Sequence, residues 1–323
     1  MKKFTLSLLL IYLLFPISVY AYSDYLIASG KNIGIELKSN NLIIVGSYDI
    51  DSYNVLKESE LTVGDKIIAI NDEKITSAEN MQKIINKLNT DKITITYERN
   101  GIHNKTDIIL HQEDNEYRTG LYVRNTIRGV ATLTYIDKEN HKFGALGHEI
   151  LDKTTKSSFN ADNGTIFEST VTGITKSADG NPGEKNAHSN SSVIYGNVEE
   201  NTKSGVFGTY TAEVSNTKTY KVAAPEEIKL GKAKLLTVIE DDKVEEFDIE
   251  IEKINTSSKN KNILFKVTDK KLLEKTGGIV QGMSGSPIIQ NNFIVGAVNY
   301  VVVDKTNKGY GIFITTMLEE AEN

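Results

Sequence analysis

Between residues 26 and 112, apolar positions fall in short β-branched runs. "NIGIEL" and "NLIIVGSY" place Ile, Leu and Val over a few residues each and read as strands. "LTVGDKIIAINDEKI" sets Gly64-Asp65 before a further strand and a polar turn at Asn71-Asp72-Glu73 before Ile75. The period then changes. In "SAENMQKIINKLN", Met81, Ile84, Ile85 and Leu88 recur at helical spacing behind Ser77, a residue suited to capping the first turn. "KITITYERNG" and "KTDIIL" close the stretch as a hairpin about Asn100-Gly101. One small unit of strands and a helix is therefore expected over 26–112.

From about residue 117 the helical period almost vanishes. "GLYVRNTIRGVATLTYID", "KFGALGHEI", "GTIFESTVTGITK", "KTYKVAA", "KAKLLTVI" and "EEFDIEIEKIN" are short, most of them Thr- and Val-bearing, and separated by turns. Strands of this kind predict an all-β barrel or sandwich over 117–323. The stretch "KSADGNPGEKNAHSNSS" (176–192) is polar, carries Gly and Pro, and reads as an exposed loop in which His188 is solvated. No internal repeat is present. The fold class expected is mainly β with some α, in two domains, and 323 residues leave room for both.

The first 21 residues follow another pattern. "MKK" precedes "FTLSLLLIYLLFPISVYA", an uncharged apolar run ending in small residues, with Ala21 a plausible last residue before cleavage. Residues 1–21 read as a signal peptide or, since about 18 apolar residues is near the minimum that spans a bilayer, as a membrane anchor. The rest of the chain is expected outside the cytoplasm, with membrane contact through the N-terminus. Cysteine is absent, which excludes disulfides, thiol catalysis and thiolate metal sites. The 37 basic and 43 acidic residues give a net charge of -6 and no sign of nucleic-acid binding. Five His occur without metal-ligand spacing, so neither a metal nor any other cofactor is expected.

Candidate chemistry sits in "QGMSGSPIIQNNFIVGAVNY" (281–300). Gly, Ser and Pro together are ordinary turn residues. The same residues also suit a nucleophile, because Gly282 lets the chain turn so that its own N–H and that of Ser284 point into one oxyanion site. "GMSGSP" resembles the G-x-S-G-x-P of chymotrypsin-like peptidases. An α/β-hydrolase elbow fits worse, since Ser286 stands where Gly is needed and strands follow Pro287; Ser286 reads as a turn residue. Among possible bases, His148 ends "FGALGHEI", a small-residue run that closes a strand. His141 lies in a charged hairpin tip, and His103 and His111 lie in the smaller unit, so His148 leads by elimination. The orienting acid stays open from the residues alone. Asp241, Asp242 and Asp248 sit in an acidic hairpin stretch, and Asp269 is equally suited to cap "KKLLEKTG".

Two resemblances extend this reading. The order of pieces in 26–112, above all "LTVGDKIIAINDEKI", resembles a PDZ domain. That implies an open sheet edge beside a helix where a peptide or chain terminus adds as a strand; the edge expected is "NIGIEL", with Ile33 and Ile35 flanking Gly34. "GLYVRNTIRGVATLTYID", "FGALGHEI", "NPGEK", "LLEKTGGIVQGMSGSPIIQ" and "GYGIFITTML" closely resemble the stage IV sporulation protein B (SpoIVB) family of serine peptidases. The resemblance implies a PDZ domain followed by a chymotrypsin-like (trypsin-like) all-β barrel peptidase domain. It assigns the catalytic roles to His148, Asp269 and Ser284, beside the oxyanion hole already expected from Gly282 and Ser284. It further implies an exported enzyme of the developing spore, at the forespore membrane or in the intermembrane space. There it would cleave itself and a membrane-bound regulator of an intramembrane protease, and so trigger maturation of a late sigma factor. The competing expectations are a non-catalytic PDZ-bearing binding protein and an envelope quality-control serine protease.

Overall fold

The computed structural model describes residues 22–88, 90–113, 116–214 and 218–322, so the leader-like segment 1–21 lies outside the described residues. No helix among the described residues is long and apolar enough to cross a membrane.

In chain order the elements begin with β1 (Tyr25–Ala28), β2 (Asn32–Ser47), α1 (Val55–Glu58), β3 (Lys66–Ile70), β4 (Glu73–Lys74) and α2 (Ala78–Lys87). Next come β5 (Lys92–Arg99), β6 (Ile102–Ile109), β7 (His111–Glu113), β8 (Glu116–Arg118), β9 (Leu121–Asp137) and β10 (Lys142–Ala145). They continue with β11 (Asn163–Thr175), β12 (Glu184–Thr202), β13 (Gly205–Tyr210), β14 (Thr219–Val222) and β15 (Gly231–Val238). The last are β16 (Val244–Ile254), β17 (Ile263–Val267), α3 (Lys270–Thr276), β18 (Pro287–Gln290), β19 (Phe293–Val301), β20 (Lys308–Phe313) and α4 (Ile314–Glu320).

Pairing closes two antiparallel barrels of six strands. The first runs β2–β9–β10–β13–β12–β11 and returns to β2. The second runs β15–β16–β17–β20–β19–β18 and returns to β15. Alternation along each strand sends one set of side chains inward. Leu133, Phe143, Ile166 and Val206 fill the first barrel, and Leu235, Phe247, Phe265 and Ile288 the second. β1 joins the two, pairing with β9 of the first barrel and with β14, which in turn pairs in parallel with β19 of the second. Two closed barrels in one chain are the trypsin-like architecture, and its edges vanish by closure.

The smaller unit has its own core, with Leu42, Ile67, Ile84, Ile85 and Ile95 buried together. Its local chemistry matches the sequence. The Ser77 hydroxyl accepts from the Asn80 N–H at 3.0 Å and starts α2. Asn100 and Gly101, at φ 54° and 77°, make the two-residue turn between β5 and β6. Asp65, 1% exposed, is held by the Arg99 guanidinium through both carboxylate oxygens at 2.7 Å.

Three sequence expectations change. The unit is not simply placed before the peptidase barrels. It emerges from the first of them, because residues 32–38 of β2 are already a barrel strand and β9 returns the chain to the same barrel. The proposed docking edge at Ile33, Gly34 and Ile35 is therefore not open. Ile35 pairs with Gly129 on one side and Ile166 on the other, so no peptide can add there. Gly34 is small because the Phe167 ring covers it: a Cβ would lie 2.1 Å from that ring. The edge of β2 beside α2 is filled by the chain itself, with Ile44 paired to Val123 and the Tyr117 carbonyl accepting from Gln82 at 2.9 Å. Finally, 184–192 is no loop; it is the first half of β12, paired to β11 with His188 opposite Thr170.

Candidate active site

The segment 280–286 folds as two successive turns. The Met283 N–H donates to the Val280 carbonyl at 3.1 Å, and the Ser286 N–H donates to the Met283 carbonyl at 2.9 Å. The third residue of each turn is a glycine at positive φ, Gly282 at 91° and Gly285 at 93°, where a side chain would strain the backbone. At Gly285 there is also no space, since a Cβ would sit 2.1 Å from the Thr132 carbonyl.

These turns set the direction of two donors. In a trans peptide the N–H points opposite to the carbonyl of the same unit. The Gln281 carbonyl accepts from the Lys185 N–H at 2.9 Å, which turns the Gly282 N–H the other way. The Met283 carbonyl accepts from Ser286, which does the same for the Ser284 N–H. Among the described residues neither N–H has an acceptor. Two unpaired donors flank a half-exposed serine, the arrangement that stabilises a developing oxyanion. Ser286, in contrast, is fully buried and donates to the Thr237 hydroxyl at 3.0 Å, which bears out its reading as a turn residue.

His148 approaches from the first barrel. β10 ends at Ala145, and Leu146 and Gly147, both near φ 71–72°, turn the chain so that the imidazole faces the second barrel. There its ring stacks on Tyr300 with centroids 5.6 Å apart. The Ser284 hydroxyl donates to the carbonyl of the preceding residue, Asn299, at 3.3 Å. Serine and histidine thus touch adjacent residues of β19, with no hydrogen bond between them. His148 Nδ1 lies 2.9 Å from the Glu149 carbonyl oxygen. A carbonyl only accepts, so the neutral ring carries its proton on Nδ1 and leaves Nε2 to accept another. Burial holds the His148 pKa below its usual value, against the opposing pull of the Glu149 carbonyl and carboxylate.

The structure does not bring Asp269 to His148. Its carboxylate accepts from the Leu272 N–H at 3.0 Å and from the Asp248 N–H at 3.3 Å, so it caps α3. The physical reason lies in the local sequence: an Asp directly before a helical run satisfies the orphan N–H groups of the first turn. Asp248 pairs with Lys234, and Asp241 exchanges backbone bonds with Val171. The remaining histidines lie elsewhere: His141 in the β9–β10 turn, His103 on β6, His111 on β7 against Tyr53, and His188 on β12.

Residues 115–318 match the family described as SpoIVB peptidase S55, more than half of the 323 residues. The chain belongs to the SpoIVB peptidase S55 family. It is accordingly a serine endopeptidase, and residues 32–110 match the PDZ domain. Asn32–Lys38 lies inside the PDZ-matched stretch while serving as a barrel strand. Solved structures with some likeness include the active form of the Rv3671c protease from M. tuberculosis. It is 13% identical, with 62% of this chain and 74% of that chain covered and a TM-score of 0.35. The PDZ domain of the SdrC-like protein from Listeria monocytogenes is 14% identical, with 27% of this chain and 90% of that chain covered and a TM-score of 0.23. At these scores neither adds to the assignment. No curated protein matches.

Sequence reasoning did not single out Thr132, Thr134 or Lys185. Thr132 donates through its hydroxyl to the Gly282 carbonyl at 2.7 Å, and its N–H donates to the Ser284 carbonyl at 3.1 Å. Thr134 donates to the Gly285 carbonyl at 2.8 Å. The one available signal was their alternation in "ATLTY", which puts both threonines on one face of β9.

Proposed function

We propose that Ser284 is the nucleophile of this peptidase, His148 its general base, and the N–H groups of Gly282 and Ser284 its oxyanion hole. The observation that carries this reading is the pair of acceptor-free N–H groups about Ser284, whose hydroxyl and the His148 ring touch adjacent residues of β19. Ser284 Oγ attacks the scissile carbonyl carbon while Nε2 of His148 takes the hydroxyl proton. The carbonyl oxygen becomes an oxyanion held by the two N–H groups. The C–N bond breaks as His148 returns its proton to the leaving amine, and water then hydrolyses the acyl ester by the same exchange of protons. Throughout, Nδ1–H stays on the Glu149 carbonyl, which fixes the ring where other enzymes use a carboxylate.

The substrate we propose is a membrane-bound regulator of an intramembrane protease, cleaved on its exported face during sporulation, together with a site in this chain itself. The export-like segment 1–21, the sporulation-peptidase family and the absence of any charge signature for nucleic acid support that reading. Localisation would be at the forespore membrane or in the intermembrane space. Incubating the purified chain, and Ser284→Ala beside it, with exported fragments of such regulators tests it. Defined cleavage by the first and none by the second is expected; cleavage only of unfolded proteins of any kind would support the quality-control alternative.

A further inference from the structure

Behind the serine turn lies a buried amine that the mechanism above does not use. Lys185 is 6% exposed, and its ammonium meets no carboxylate among the described residues. It donates instead to two hydroxyls, Thr132 Oγ1 at 3.3 Å and Thr237 Oγ1 at 3.0 Å. Burying an amine without a counter-ion is costly, and an apolar side chain of equal length would fill the same space more cheaply. A residue kept only for packing has no need of that nitrogen.

Beyond its pairing with Ile174 of β11, the contacts of Lys185 lead directly or through one threonine to the turn that holds Ser284. Its backbone N–H donates to the Gln281 carbonyl and so aims the Gly282 N–H. Its stem lies along Gly282, where a Cβ would come within 3.2 Å of Lys185 Cβ and Cδ. Thr132 spends its own hydroxyl proton on the Gly282 carbonyl, so its lone pair is what accepts from the amine. Thr237 accepts from the amine and from Ser286, the residue that closes the second turn. The amine thus ties a strand of the first barrel to a strand of the second directly beneath the oxyanion donors.

We propose that Lys185 is a positioning residue of the peptidase reaction, fixing the Gly282–Ser284 turn through Thr132 and Thr237. The proposal deepens the assignment of that turn as the oxyanion hole and rests on it. Lys185 touches no reacting atom, so its loss acts on turnover through donor placement, and a small misplacement of donors is expensive in rate. Burial brings its pKa down to about 7. Either protonation state keeps the two N–H groups that the threonines need, so the tie persists on both sides of that value.

The test compares Lys185→Met with wild type in kcat and KM for a peptide substrate, alongside thermal melting. A fall in kcat of about 10- to 100-fold is expected, with KM little changed and a melting temperature equal or higher, because misplacing one oxyanion donor falls short of deleting it. Combined with Thr132→Val, the loss should be smaller than the product of the two single losses, since both cut one chain of bonds. Should Lys185→Met fail to fold, Thr132→Val against Thr132→Ser reads the same chain, with activity kept only where the hydroxyl remains. An unchanged kcat, or equal Val and Ser variants, overturns the proposal. Ser284→Ala run in parallel separates the two readings: if it retains turnover, the assignment of the turn has failed, whatever Lys185 does.

Discussion

The Ser284 hydroxyl rests on the Asn299 carbonyl, 3.3 Å away, and not on His148. A hydrogen bond of that length is weak and leaves the hydroxyl free to rotate, while the His148 imidazole stacks one residue along β19 on Tyr300. Catalytic hydrogen bonds often tighten only when substrate is bound. The resting chain therefore holds the proposed nucleophile and base against adjacent residues of one strand without joining them.

The placement of Asp269 gives a sharp prediction. As a helix cap it should tolerate Asn, which caps equally well, while Asp269→Ala should cost about 1 kcal/mol of stability. Asp269→Asn is expected to retain kcat within a few-fold. Urea unfolding and peptide hydrolysis of both variants check this. A loss approaching about 10⁴-fold in the Asn variant would instead show that the carboxylate acts on the histidine during turnover.

The depressed pKa of His148 fixes where activity fails. Only the neutral ring is a base, and burial favours the neutral ring, so protonation waits until below the usual histidine value of 6.5. A plot of kcat/KM against pH should therefore reach half of its plateau at a pH below 6.5. Half-activity above 6.5 would contradict the burial of the ring.

Gly34→Val is expected to act on the fold. Phe167 leaves no space for a side chain, and overpacking of this kind costs about 1–3 kcal/mol or more. Melting temperature and hydrolysis of short and long substrates should fall together. A selective loss on a protein substrate, with stability intact, would restore the docking role that the strand pairing removes.

Much of this was legible in the sequence, and the failures have physical causes. Ser77, Asn100-Gly101 and the glycines at 282 and 285 act locally, through caps and positive φ, so short quotations suffice to place them. The edge at Ile33–Ile35 was misread because strand periodicity shows which face is buried but not what pairs on each side. Only the return of β9 and β11 closes it. The catalytic role expected of Asp269 rests on a resemblance, whereas its own neighbourhood spells a cap. Lys185 sat in a polar stretch that reads as surface, and only the pairing of β12 with β11, and its bridge to Gln281, buries it.

The central claim, that Ser284 is the activated nucleophile, is tested most directly by a fluorophosphonate probe, which forms a stable adduct on such a serine. Peptide mapping of the labelled protein should find one adduct, on Ser284. Labelling should vanish in Ser284→Ala and slow strongly in His148→Ala, since the two residues act as a unit. An adduct on any other serine, or undiminished labelling of Ser284→Ala, would contradict the account.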